Sequence, residues 1–230
     1  MRSGELERGR LEVAAHLGHS ASRSACGLDE PFPDFTVDAE DEVGRRMLLL
    51  PWALRLAELS RLAARRAAIA SSNSALHYYE AVFGADTPRR AIREAERLTL
   101  LGLNGDAEQR RLVESANLAA PDRGYYAPPE RIERAESASY AAASALAACL
   151  PGGGFGQVIF EALHCADAAL APYPNGFQYE RAAPCDWSEH DASPASSAAV
   201  VLAVQAEVIP WVLGYADLVR ERVEAAGRKG

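Results

Sequence analysis

The chain has 230 residues, of which 49% are hydrophobic and 24% charged, a composition that excludes disordered, collagen-like and rod-like coiled-coil chains. Its formal net charge of -8 argues against nucleic acid as a direct partner, because phosphate binding needs clustered positive charge. No apolar run approaches the roughly 20 residues that a helix needs to cross a bilayer, so no membrane partner is expected.

Alanine occupies 46 positions, whereas valine, isoleucine and threonine together occupy 21. Alanine costs least in a helix and β-branched residues favour strands, so the predicted fold is all-α. The expected architecture is a single-domain bundle of about seven to nine helices, kinked at prolines. Residues 1–38 read as an N-terminal arm with the hint of a short helix, and 39–228 as a helical domain with a long irregular insertion at 172–192.

In the arm, Leu6, Leu11, Ala14 and Leu17 give a short amphipathic pattern that Gly4, Gly9 and Gly18 weaken. Pro31 and Pro33 then bias EPFPDFTVD towards extended chain. The run from Asp38 to Ala70 begins acidic and ends basic, the order that a helix dipole favours. Pro51 predicts a kink or a boundary between two helices, after which Trp52, Leu56, Leu59 and Ala63 share a face. The serines from Ser71 to Ser74 predict a stop and a fresh cap before a short helix through Tyr78, Tyr79 and Phe83.

Thr87 and Pro88 predict the cap and first position of the next helix, with Ile92, Ala95 and Leu98 or Thr99 on its face and Gly102 as its left-handed stop. Asp106 caps a helix over 107–119, and Pro128 and Pro129 open a long alanine-rich one that ends at PGGG. A helix from Phe155 to about Ala171 follows. Ser193 and Pro194 repeat the cap-then-proline signal before a last helix with Val201, Val204, Val208, Trp211, Tyr215 and Leu218, kinked at Pro210.

Few residues point to chemistry. Glu161 and His164 form an E-x-x-H pair one turn apart, the alternative reading being an α-helical enzyme or metal protein built on them. Dinuclear sites in bundles use two such motifs and two further glutamates; the chain has one motif, and Glu189-His190 has the wrong spacing. His16, His19 and Cys26 lack a fourth zinc ligand, and in the grouping of His164 and Cys165 with Cys185 and His190 the two adjacent residues diverge by about 100° on a helix. The run Pro151 to Gln157 is glycine-rich, but a helix precedes it and no lysine follows, so it reads as a helix–helix turn. Arg89, Arg90, Arg93 and Arg97 form a stripe that reads as a solvated face neutralised by Glu94 and Glu96. With no catalytic signature, no metal, cofactor or catalytic residue is expected. The charged start MRSGELERGRLEV does not fit a signal peptide, so a cytoplasmic location with Cys26, Cys149, Cys165 and Cys185 reduced is expected.

Three blocks carry a family resemblance: ALHYYEAVFGADTPRRAIREAERLTLLG, the small-residue run ESASYAAASALAACL, and DWSEHDASPASSAAVVLA. Their aromatic–Asp–Pro turn, alanine-rich segment and Asp-Trp followed by Asp-Ala resemble, in order, the immunity protein five family of bacterial polymorphic toxin systems. The resemblance spans roughly residues 45 to 205. It implies an all-helical cytosolic protein that protects its producer by binding a cognate toxin, through steric occlusion and not catalysis. An acidic chain suits a basic effector such as a nuclease. The expected contact surface is the 172–192 stretch, where Phe177, Tyr179 and Trp187 supply aromatic anchors and Asp186, Glu189 and Asp191 an acidic rim.

Overall fold

The computed structural model describes residues 3–27, 42–119, 129–170 and 199–214. Its helices, in chain order, are α1 (Ser3–His16), α2 (Ser20–Ala25), α3 (Glu42–Leu59), α4 (Arg61–Glu80), α5 (Thr87–Leu101), α6 (Ala107–Asn117), α7 (Pro129–Ala147) and α8 (Phe155–Leu170). A ninth, α9, covers 199–214. No strand occurs among the described residues, and the fold is an all-α multi-helix bundle.

Alanine sets how closely the central helices approach. α4, α7 and α8 pack against one another at the middle of the bundle. They meet through Ala64, Ala67 and Ala68 of α4, Ala138, Ala141 and Ala145 of α7, and Ala162 and Ala166 of α8, all fully buried. Side chains this short let backbones come near enough for a serine hydroxyl to span two helices. Ser72 of α4 donates to the Ala141 carbonyl at 2.8 Å, and Ser139 of α7 donates to the Ala116 carbonyl of α6 at 2.6 Å. Larger groups fill the outer layers. Trp52 and Leu56 come from α3, Tyr79 from the end of α4, Ile92 and Leu98 from α5, and Ile159 and Leu163 from α8.

Several expected breaks fall elsewhere. The serines at 71–74 do not stop a helix, because α4 runs unbroken from Arg61 to Glu80. Their hydroxyls bond back into the helix instead: Ser71 and Ser72 to the Ala68 carbonyl, Ser74 to that of Ser71. Serine in that geometry satisfies itself without ending the helix. Pro51 lies inside α3 and marks no boundary. It faces solvent opposite Leu49, Trp52, Ala53 and Leu56, so water can satisfy the carbonyl that loses its amide partner. The boundary comes at Ser60, whose hydroxyl accepts from the Ala63 amide at 3.2 Å. Asp86, not Thr87, is the cap residue of α5, and it makes no side-chain cap bond.

Other signals land where the sequence puts them. Gly102 ends α5 at φ 65°, in the left-handed region. At the start of α6, the Asp106 carboxylate accepts from the Glu108 amide, and the Asp106 amide donates to Gln109 Oε1.

The N-terminal segment packs onto the bundle through α1 and Leu17, and α2 packs against α1. Val13, Ala14, Ala15 and Leu17 are buried. His16 donates from Nε2 to the Trp52 carbonyl at 2.7 Å, while Trp52 Nε1 donates to the His16 carbonyl at 3.0 Å. These reciprocal bonds clamp α1 to α3. Arg10 reaches the Val212 and Leu213 carbonyls of α9, and Gln205 of α9 donates to the Leu17 carbonyl.

Arginines also close helix ends, where the last carbonyls lack intrahelical donors and carry partial negative charge. Arg134 stacks on Tyr78 and donates to the Ala169 and Leu170 carbonyls of α8, both at 2.8 Å. Arg65, only 4% exposed, donates to the Ala148 carbonyl after α7 and the Leu103 carbonyl after α5. The Gly105 amide reaches the Cys149 carbonyl beside it, so the α5–α6 and α7–α8 turns are tied together.

Candidate functional site

The buried face of α5 (Pro88, Ala91, Ile92, Ala95, Leu98, Thr99) leaves its arginines outside. Arg89 forms a two-pronged pair with Glu80, and Arg97 with Glu94. Arg97, helped by a hydrogen bond from Gln109, holds the Glu94 carboxyl below the usual carboxylate range. The side chains of Arg90 and Arg93 make no ion pair or hydrogen bond among the described residues. The stripe is therefore neutralised only in part: Glu94 does what the spacing predicts, and Glu96 accepts from Asn73 instead.

Open grooves flank this ridge. The groove between α4, α5 and α9 is about 740 Å³, with Ile69, Ala70, Leu100, Ala203 and Ala206 as its apolar lining. Arg66, Arg93, Arg97 and Glu207 stand at its edge. Arg66 is fixed there, paired with Glu207 at 2.5 Å and placed 4.7 Å over the Trp211 ring. The groove between α5 and α6 is about 780 Å³, and Arg90, Arg93, Arg97 and Arg111 outnumber Glu94 and Glu108 along it. Arg93 borders both.

Beyond the ridge the surface turns apolar. Leu100 is 76% exposed, Leu101 56% and Leu103 48%. Three neighbouring leucines held in water around one helix end are a feature of contact surfaces, since burying one stabilises an association by about 1.5–3 kcal/mol. The periodic reading took Leu98 for the core and gave the extra leucines of TLLGL no role; their surplus over the buried face is the signal that could have found them.

The residues expected to form the contact surface, Phe177, Tyr179, Asp186, Trp187, Glu189 and Asp191, lie outside the described residues, as do Cys185 and His190. Glu161 is exposed, and half-buried His164 stacks on Phe160 with ring centres 5.4 Å apart. No three potential metal ligands converge among the described residues. Cys26, Cys149 and Cys165 are free thiols. Burial pushes all three above the ordinary thiol range, Cys165 to about 12 with Glu161 adding to the shift. Thiols in that state are poor nucleophiles, and the described residues assemble no catalytic constellation. No described helix is long and apolar enough to cross a membrane. No protein-family model matches the chain, and neither does any curated protein or solved structure.

Proposed function

We propose that the chain is an immunity protein that binds and neutralises a cognate bacterial toxin by occlusion, working in the cytoplasm without catalysing a reaction. Support comes from the three ordered sequence blocks that resemble the immunity protein five family. It comes equally from a surface suited to protein contact. The observation that carries the reading is Leu100, 76% exposed on a groove that Arg93 borders without a paired carboxylate. An exposed apolar side chain beside an arginine, a residue type enriched at interface hot spots, suits a protein contact. The acidic and aromatic residues around Trp187 and Asp191 belong to the same proposal as a second contact region, suited to a basic toxin surface.

The test is neutralisation. The product of the reading frame beside this gene should arrest growth when expressed alone, and co-expression of this chain should relieve the arrest through a stable complex. Failure to relieve a demonstrated arrest, with no complex formed, defeats the proposal. The alternative built on Glu161 and His164 is checked by elemental analysis of the purified protein. Stoichiometric zinc, iron or manganese would favour it; the occlusion reading expects none.

A further inference from the structure

Arg61 and Arg65 stand one turn apart on α4, so both side chains leave the same face of the helix. They line an open depression of about 480 Å³ with Asn104, Pro151 and Gly152, and no carboxylate is among its lining. Like charges at this spacing repel, and the helix-end carbonyls that hold Arg65 offset its buried charge with partial charges alone.

Arg65 bonds only to neutral acceptors: the Ala148 and Leu103 carbonyls and Asn104 Oδ1, the last at 2.7 Å. A guanidinium has five N–H donors, and these contacts use three, so two remain on a group that is 4% exposed where it lines the depression. Arg61 is fixed by stacking, with its guanidinium carbon 4.2 Å from the ring centre of Phe155, the first residue of α8. The glycine turn joins α7 to that helix. A Cβ at Gly152 or Gly153 would meet nothing within 4 Å, so neither glycine is required by packing, and each leaves the backbone open. The positive end of a 16-residue helix follows directly.

We propose that this depression binds a small phosphate-bearing molecule, its phosphate group seated between Arg61 and Arg65 beside Asn104 and the glycine turn. A phosphate dianion offers enough acceptors for both guanidinium groups and for neutral donors at once. The site shares no lining residue with either groove along α5, so it stands whether or not a toxin is the partner.

The test titrates inorganic phosphate, and separately adenosine monophosphate, into the full chain by calorimetry, with chloride at matched ionic strength as control. Saturable one-to-one binding is expected from at least one phosphate probe and none from chloride. Tighter binding of the nucleotide identifies a phosphomonoester as the ligand class, and equal or tighter binding of inorganic phosphate identifies free phosphate. Arg65→Gln removes bonds that close two helix ends and can unfold the chain, so Arg61→Gln is the informative variant. It should weaken binding about tenfold or more, the effect of losing one charge-assisted contact, with the melting temperature of the ligand-free protein nearly unchanged. Absence of saturable binding by both probes, or undiminished binding in Arg61→Gln, overturns the proposal.

Discussion

His16 holds α1 to α3 through its bond to the Trp52 carbonyl, and its titration reports on that joint. Burial lowers its pKa below the ordinary 6.5; the bond to Trp52 opposes the shift and the positive charge of Arg55 reinforces it. The unfolded chain therefore takes up this proton more readily than the folded one. The stability contributed by the neutral ring is complete above about pH 6.5 and is lost as pH falls from there through the lower folded value. Denaturant titrations across that range should show this slope, and His16→Gln, which keeps an amide donor but cannot titrate, should flatten it. An unchanged slope would show that other groups control it. Tyr79 offers a simpler measurement. Its ring is fully buried and its hydroxyl donates to the Ala119 carbonyl at 2.9 Å. Tyr79→Phe should cost about 1 kcal/mol in unfolding free energy, one hydrogen bond's net worth plus the stranded carbonyl's share.

The helix edges show which signals a sequence carries openly. Gly102, the Asp106–Gln109 box and Pro129 are local instructions, readable because each acts within one turn. The serines at 71–74 mislead because serine suits both a cap and a back-bonded helix interior, and the neighbouring α7 decides between them by offering the Ala141 carbonyl. Pro51 leaves a kink and a boundary both open in the sequence, because a linear pattern shows exposure poorly; α3 runs through it with the ring facing solvent. Close packing of alanine faces makes a firm prediction at this scale. Ala68→Leu would force a larger group into the space that Ser72 bridges to α7. It should destabilise the protein by about 1–3 kcal/mol or more, read as a lower denaturant midpoint. Gly102→Ala should cost about 1 kcal/mol, because φ 65° is disfavoured for any residue with a Cβ.

For the molecule as a whole, the helical class follows from alanine content, but the surface does not. Arg66 of α4, Arg93 of α5 and Ala203 of α9 are far apart in sequence and meet only because the bundle folds. Arg61 and Arg65 reach a glycine turn almost ninety residues downstream for the same reason, although that turn alone reads as a plain connection. The arginine stripe of α5 is legible in the sequence, but its incomplete neutralisation is not, because only the fold turns Glu96 to Asn73. Protein binding through this surface is the central claim, and the dissociation constant of the proposed complex with the adjacent gene's product tests it most directly. Leu100→Asp combined with Arg93→Glu should weaken the complex about a hundredfold or more, equivalent to about 2.7 kcal/mol, while the free protein melts as before, since both side chains face solvent. Affinity unchanged in that double variant would contradict the account.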